Sequence, residues 1–390
     1  MAKSVKALIT PEVLKWVREK RIRLEIDFVP KKLNIDCERL VAWESGTDQP
    51  TFAQLKRIAK LYRTHISIFY LPKPPTDFKP LTDFRVLPGT STRDDGETYR
   101  LNANIVEVID RRQTIIGLFE ILEEAPPKVS LNININEESG HAAEKIRRFL
   151  DFNTQKLPRT KDRYKVLKFW KRTVEAKGIL VCQTSVNTHL SVELQTVRGF
   201  CIAQRPFPVI VVNPKDSPYG RIFTIIHELV HIALGESIIQ NMDFEEVNFP
   251  NFDPIEVFCN QVAAEVLVPQ NELLKMVKLK VSNKILSEAC AYFRVSSEVI
   301  MRRLLTLNKI SQQEFQIFKK DQQKKYKDNI QEPKGFPHYH TRILNASGEF
   351  FARTAFRAYY EDKITLAKLA AVFSYCDTKH LSKIESSIFA

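Results

Sequence analysis

The chain has 390 residues, of which 44% are hydrophobic and 27% are charged, so it can bury a core and is not disordered throughout. At about 150 residues per domain, this length predicts two or three domains. No run of about 18 apolar residues and no apolar stretch typical of a signal peptide is present. We therefore expect a cytoplasmic protein, with no membrane partner and with its six cysteines reduced.

The positive charge is concentrated towards the two ends of the chain. The net charge is +13, and residues 1–75 contain 15 basic and 8 acidic groups, a balance of +7. Residues 151–275 are neutral, with 14 groups of each sign, whereas residues 276–332 reach +6 from 12 basic and 6 acidic groups. The basic N-terminal part suggests nucleic-acid binding. A solvated basic face without a partner would explain the charge equally well.

Short helices are predicted for the first 70 residues. Pro11 begins the first helix, Gly46 ends a helix near 38–44, and Pro50 precedes an amphipathic helix around 55–62. Three prolines in LPKPP then predict a linker at 71–75, because proline resists both helix and sheet.

The middle of the chain predicts helices followed by strands. Helical spacing of apolar residues indicates three helices, at 99–124, 140–150 and 162–177. Apolar runs rich in β-branched residues predict three strands, at 179–182, 199–203 and 207–213. The short connections favour antiparallel pairing, and Pro206 and Pro208 suggest a sheet edge.

The second half of the chain is predicted to be helical. Ser217 and Pro218 begin a helix that runs to about Gly235, and another helix spans about 254–268. A charged stretch at 319–327 resembles a hinge, and two or three helices are expected in the tail.

The strongest chemical signal is the pattern HExxH in RIFTIIHELVHIALGE, residues 221–236. His227 and His231 lie four apart on one helix face and can reach one metal ion. Two imidazoles and a carboxylate suit zinc, with one position open for water. Glu228 can take a proton from that water and pass it to a leaving amine. The alternative is a solvated helix face that carries two histidines without a metal. The many apolar neighbours disfavour it, because buried polar side chains need a binding partner.

The third ligand is expected from PIEVFCNQVAAEVLVP, which begins at residue 254. Glu256 would bind the metal, and Asn260, one turn later, would accept a hydrogen bond from a ligand imidazole. Glu265 is the rival ligand. Carboxylates of the intervening loop are weaker candidates, at Asp243, Glu245, Glu246 and Asp253. Such a site accepts manganese as well as zinc.

These segments resemble the ImmA/IrrE family of metallo-endopeptidases. The similar residues are RGFCIAQRPFPVIVVNPKDSPYGRIFTIIHELVHIALGE and EVFCNQVAAEVLVP, with Cys259 where a small alanine is usual. The resemblance implies that His227, His231 and Glu256 bind Zn²⁺ and that Glu228 is the catalytic base. Family members of this kind cleave a helix-turn-helix repressor or another partner protein in the cytoplasm.

An edge strand of the sheet could pair with an extended substrate peptide. Residues 198–204 are the candidate, and Arg198, Gly199 and Phe200 are its first three residues. The alternative is an ordinary structural strand. The sequence does not identify the group that stabilises the tetrahedral oxyanion of peptide hydrolysis. The candidates are Tyr219, Arg221 and Arg198.

Residues 40–62, LVAWESGTDQPTFAQLKRIAKLY, resemble the Xre-type helix-turn-helix family. The resemblance places the start of a recognition helix near Asp36. Side chains expected to face double-stranded DNA or its phosphates are Lys31, Lys32, Cys37, Glu38 and Arg39. Pro30 occupies a position where a small residue is usual, so the preceding helix must start late or be distorted. A helical module used for protein contacts is the alternative.

The expected fold class is α+β and mainly helical. A helix-turn-helix bundle precedes a zincin-like metalloprotease domain with a small antiparallel sheet, and a helical extension follows. The corresponding ranges are 1–70, a linker at 71–98, the protease at 99–318 including a helical part at 276–318, and the extension at 319–390.

The sequence thus predicts a zinc-dependent endopeptidase. Its substrate would be a regulatory protein, such as a helix-turn-helix repressor or an antitoxin-like partner. The alternatives are a transcription regulator whose protease-like domain serves as a sensor without cleavage, and a toxin–antitoxin component that acts by binding alone.

Overall fold

A computed structural model describes residues 5–75, 85–86, 95–184, 188–235, 238–240, 253–277, 281–328, 337–373 and 376–389. These residues are mostly helical and include one small sheet. Within these ranges, no helix combines the length and the apolar composition needed to cross a bilayer.

The α-helices of the first half of the chain are α1 (Pro11–Trp16), α2 (Phe28–Leu33), α3 (Cys37–Ser45), α4 (Phe52–Leu61), α5 (Asp95–Ile121), α6 (Ser139–Phe149) and α7 (Arg163–Glu175). Those of the second half are α8 (Pro218–Leu234), α9 (Pro254–Leu267), α10 (Gln270–Met276), α11 (Asn283–Phe293), α12 (Ser297–Thr306), α13 (Gln312–Asp328), α14 (Tyr339–Ser347), α15 (Glu349–Tyr360), α16 (Leu366–Val372) and α17 (Thr378–Phe389). The strands are β1 (Arg85–Val86), β2 (Leu180–Gln183), β3 (Gly199–Ile202), β4 (Val209–Val212) and β5 (Ile238–Gln240).

The sheet has the strand order β1-β5-β3-β4-β2 and is mixed. β3 runs antiparallel to β4 and β5, whereas β2 pairs with β4 in parallel and β1 pairs with β5 in parallel. The prediction of an antiparallel sheet is therefore confirmed for the pairing of β3 with β4 and wrong for β2, which pairs in parallel. The hairpin between β3 and β4 reverses the direction of the chain. β4 lies between β3 and β2 and runs parallel to β2.

Helices cover both faces of the sheet, which explains why β2, β3 and β4 are buried at every position. On one face, Val181, Cys201 and Ile210 pack in a core with α6–α9 and α11–α12. On the other face, Cys182, Phe200 and Val211 pack in a second core with α5 and α14–α17. The C-terminal helices and α5 thus cover one of the two faces of the sheet.

A close approach joins the C-terminal helices to the sheet. Gly348, between α14 and α15, has φ +87, and a Cβ there would lie 2.6 Å from Glu175 Oε1 and 3.1 Å from the Val181 carbonyl oxygen. Only glycine fits this backbone conformation in so little space. The Glu175 carboxyl in turn lies beside the backbone of Val181 and Phe350, so it joins α7, β2 and α15.

The N-terminal helices form a third core, which includes Trp43 and Tyr62 and extends onto Ala103 and Val106 of α5. Thr51 and Gln54 form a reciprocal capping box at the start of α4. Pro30 lies in the first turn of α2, where no intrahelical N–H donor is required. The helix therefore begins late, as the proline predicted.

The helix α5 connects the N-terminal helices to the sheet. Near its middle, Asp110 accepts hydrogen bonds from Arg21, and Glu107 pairs with Arg63. Later in the same helix, the Arg112 guanidinium donates to the carbonyl oxygens of Gln204, Pro206 and Phe207, in the β3–β4 connection. Most of the predicted linker, 76–84 and 87–94, lies outside the described residues, and α5 begins at 95 rather than 99.

Candidate metal centre

Two helices supply the side chains of the centre. Ser217 caps α8 by accepting a hydrogen bond from the Gly220 N–H, and Gly235 ends the helix in a left-handed conformation, so both predicted limits are confirmed. Every residue from 221 to 233 is buried, as expected for a helix that is apolar on most faces and packs on all sides. The helix α9, capped by Asp253, packs against α8.

Side chains of His227, His231 and Glu256 converge between these helices. The two histidine Nε2 atoms lie 3.0 Å apart. Glu256 Oε2 is 3.4 Å from His227 Nε2, and Glu256 Oε1 is 3.5 Å from His231 Nε2. Both histidines are fully buried, and Glu256 is 5% exposed. The spacing of four places one imidazole above the other, and α9 brings the carboxylate to both.

The charges of this group are strongly coupled. Burial alone would raise the pKa of Glu256, but the adjacent imidazoles of His227 and His231 lower it far below its usual value. Burial would likewise lower the pKa of His227, but the hydrogen bond to Glu256 raises it overall. The ionised Glu256 carboxylate therefore favours a positive charge on the side of the imidazoles that faces it.

Glu228 is adjacent to His227 and fully buried. Burial raises the pKa of Glu228 to about 8, while the nearby charge of His227 opposes this increase. The Cys201 thiol faces the carboxylate and favours its charged form, but neither Glu228 oxygen makes a hydrogen bond of normal geometry within the described part of the chain. Gly199 allows this close packing, because a Cβ there would lie 2.4 Å from Thr224 Cγ2 and 3.6 Å from Glu228 Oε1.

The donor set fits a divalent metal ion. One nitrogen from each imidazole and one carboxylate oxygen lie within 4.8 Å of one another, and within the described ranges no other group of three such residues does so. Among the described residues Glu256 Oε1 is buried without a hydrogen bond of normal geometry, and a cation bound between the two Nε2 atoms would satisfy it together with both rings. Two imidazoles and one carboxylate are the ligands of catalytic zinc sites with an open position.

The rival ligands lie elsewhere or outside the described residues. Glu265 forms an ion pair with Arg303 and accepts a hydrogen bond from the Gln270 N–H. Asp253 caps α9 by accepting a hydrogen bond from the Ile255 N–H. Asp243, Glu245 and Glu246 lie outside the described residues.

The prediction that 198–204 is an edge strand was wrong for its first part. Gly199 and Phe200 pair with Gln240 and Ile239 of β5, so this side of β3 is already occupied. Phe200 is fully buried on the sheet face opposite the metal centre. Arg198 pairs with Asp216 at 3.4 Å. The sequence did not predict β1 or β5, because strands of two or three residues are too short to show a periodic pattern of apolar residues.

Two contacts of α9 support the imidazoles from behind. Cys259 Sγ lies 3.5 Å from His231 Nδ1. Asn260 faces His227, and its amide raises the pKa of that ring. His227 Nδ1 and Asn260 Oδ1 are nevertheless both buried without a hydrogen bond of normal geometry. Sequence reasoning proposed Asn260 but assigned no contact to Cys259, although its spacing of three from Glu256 already placed it on the same helix face.

The residues predicted to face DNA are all exposed, at Lys31, Lys32, Cys37, Glu38 and Arg39. They lie at the end of α2 and in the first turn of α3, whose N-cap is Asp36. Lys32 Nζ sits 5.4 Å from the centre of the Phe28 ring, and Cys37 Sγ lies 3.8 Å from Asp27 Oδ1. Acidic groups therefore share this surface with the basic ones.

Residues 174–305 match a family model of peptidase family M78, described as IrrE N-terminal-like domain. This match indicates a metallopeptidase domain that acts on a protein substrate, and its range includes α8, α9 and all three converging side chains. It covers about a third of the chain and leaves out the N-terminal helices and α13–α17. No curated protein matches this sequence.

Proposed function

We propose that this protein is a zinc-dependent endopeptidase that cleaves a regulatory protein, such as a helix-turn-helix repressor or an antitoxin-like partner. The observation that carries the proposal is the convergence of His227, His231 and Glu256 in a buried pocket beside the buried carboxyl of Glu228. The match to a peptidase family over the same residues supports it.

Each side chain has a distinct role in this mechanism. His227, His231 and Glu256 would hold the metal ion, which supplies Lewis acidity to a scissile carbonyl and lowers the pKa of water. Glu228 takes a proton from the attacking water and delivers it to the leaving amine nitrogen. Its burial favours the protonated carboxyl, which suits the return of the proton to the leaving nitrogen.

Four variants of the full-length protein test the assignment. We expect His227→Ala and Glu256→Gln to lose most of the zinc that the wild type binds at about one ion per chain. Glu228→Gln should keep the zinc but cleave a helix-turn-helix protein at least about 100-fold more slowly, because it lacks the general base. Glu265→Gln is the matched control, since this carboxylate pairs with Arg303 rather than the imidazoles.

Zinc measured by elemental analysis, together with product fragments detected by mass spectrometry, decides between the functions. Zinc binding by Glu256→Gln but not by Glu265→Gln would contradict the ligand assignment. Full zinc occupancy without cleavage of any helix-turn-helix protein, including one encoded beside this gene, would favour a regulator that senses or binds without cleaving.

The N-terminal module has a second proposed role, the binding of double-stranded DNA. The exposed positions of Lys31, Lys32 and Arg39 and the net charge of residues 1–75 support it. The carboxylates of Asp27, Asp36 and Glu38 favour the alternative, in which this module docks a protein substrate, because they would repel phosphates.

A further inference from the structure

The helix α9 meets the metal centre with three residues of one face. Glu256, Cys259 and Asn260 are spaced by three and four, which places them side by side on one helix face. Glu256 reaches the Nε2 atoms of both histidines, while Cys259 and Asn260 lie behind one ring each. The two imidazoles are thus held from the same helix, but by different chemical groups.

The contact of Cys259 is directed at the nitrogen that does not face the pocket. Its Sγ lies 3.5 Å from His231 Nδ1, whereas His231 Nε2 points to His227 Nε2 at 3.0 Å and to Glu256 Oε1 at 3.5 Å. Both residues are fully buried. A histidine that binds a metal through Nε2 must carry its proton on Nδ1, and that proton needs an acceptor.

Building on the proposed metal site, we propose that Cys259 is a positioning residue that fixes the ring and the tautomer of His231. In this arrangement the Nδ1–H donates to the Cys259 sulfur, so that the Nε2 lone pair faces the pocket. Cys259 itself stays outside the ligand set, because Sγ does not lie among the donor atoms that converge. Its effect on a bound metal therefore passes through His231.

The test uses the full-length protein and two measurements. Zinc affinity comes from competition with a chromogenic chelator. The tautomer of His231 comes from nitrogen NMR of histidine-labelled, metal-free protein at a pH where the ring is neutral. Cys259→Ala should weaken zinc binding about 10-fold, the lower end of the usual effect for groups that orient ligand histidines. It should also shift the His231 proton from Nδ1 towards Nε2.

Two further variants make the result specific. Cys259→Ser restores an acceptor of similar size, so zinc affinity should return to within about threefold of the wild type. Cys182→Ala is the matched control: Cys182 is an equally buried thiol on the other sheet face, where it donates to the Ser347 carbonyl oxygen. This variant should change neither measurement.

The outcomes separate this proposal from the one it rests on. A wild type that binds no zinc overturns the metal site, and the tautomer measurement still decides the role of Cys259. An unchanged tautomer in Cys259→Ala, or zinc affinity that serine does not restore, overturns the positioning role. A lower melting temperature with an unchanged tautomer would show that the thiol only fills space.

Discussion

Glu175 is a buried carboxyl outside the metal centre, with 4% of its surface exposed. Burial raises its pKa from 4.5 to about 7, although the charge of Lys171 and the Phe350 and Val181 N–H groups favour the ionised form. Between these two pH values, the folded protein keeps a proton on Glu175 that the unfolded chain has released. Stability from this group is therefore present at low pH and is lost as the pH rises through about 7.

We expect Glu175→Gln to remove this pH dependence. The pKa shift of Glu175 corresponds to at most about 3 kcal/mol of unfolding free energy. Between pH 5 and pH 8, the stability of the variant relative to the wild type should therefore rise by up to that amount. Urea unfolding at several pH values measures the difference, in which contributions common to both proteins cancel. Glu120→Gln, at an exposed position of α5, should show no such trend. A constant difference between Glu175→Gln and the wild type would contradict the argument.

At the scale of elements, the surface formed by the end of α2 and the start of α3 gives a salt-dependent prediction. If Lys32 and Arg39 neutralise phosphates, duplex DNA should bind at low salt and dissociate steeply as salt rises, with a log–log slope of about −0.9 per phosphate. Lys32→Ala and Arg39→Ala should each weaken binding and reduce the slope by about one phosphate.

Fluorescence anisotropy with DNA upstream of the protein's own gene measures this binding. The full chain is needed, because the N-terminal core includes Ala103 and Val106 of α5. Lys368→Ala, at an exposed position of α16, is the control. If Lys368→Ala weakens DNA binding as much as the other two variants, or if the affinity does not change with salt concentration, protein docking remains as the role of this surface.

The elements differ in how well the sequence predicted them. The limits of α8 followed from Ser217, Pro218 and Gly235, because caps and helix breakers act locally. The convergence on Glu256 followed from spacing along two helices. The parallel pairing of β2 with β4 did not, because strand order depends on contacts between distant segments. Cys259 was missed as a contact because periodicity gives the face of a helix but not the atom opposite it.

For the whole molecule, one face of the sheet depends on α5 and on the C-terminal helices α14–α17. A truncation after residue 318 removes α14–α17 and exposes Phe200, Val211 and their neighbours. Each large apolar side chain left without cover loses about 1.5–3 kcal/mol, so a few of them exceed the usual net stability of about 5–15 kcal/mol. We therefore expect the truncated chain to be unfolded or aggregated.

Thermal unfolding followed by circular dichroism tests this expectation. Phe356→Ala in the full chain is the graded comparison, since it deletes one side chain that is 2% exposed and should cost about 3–5 kcal/mol while the fold persists. If the truncated chain melts cooperatively at the temperature of the full chain, then the C-terminal helices contribute little to the sheet.

The complete burial of His227 and His231 has a consequence for timing. Because neither side chain has exposed surface, an ion, like the attacking water and the substrate, can reach them only while the packing around α8 and α9 is open. Metal exchange would then proceed at the rate of that opening rather than at the rate of ligand dissociation. The metal bound in each molecule would then depend more on which metal was available when the chain folded than on which metal is present later.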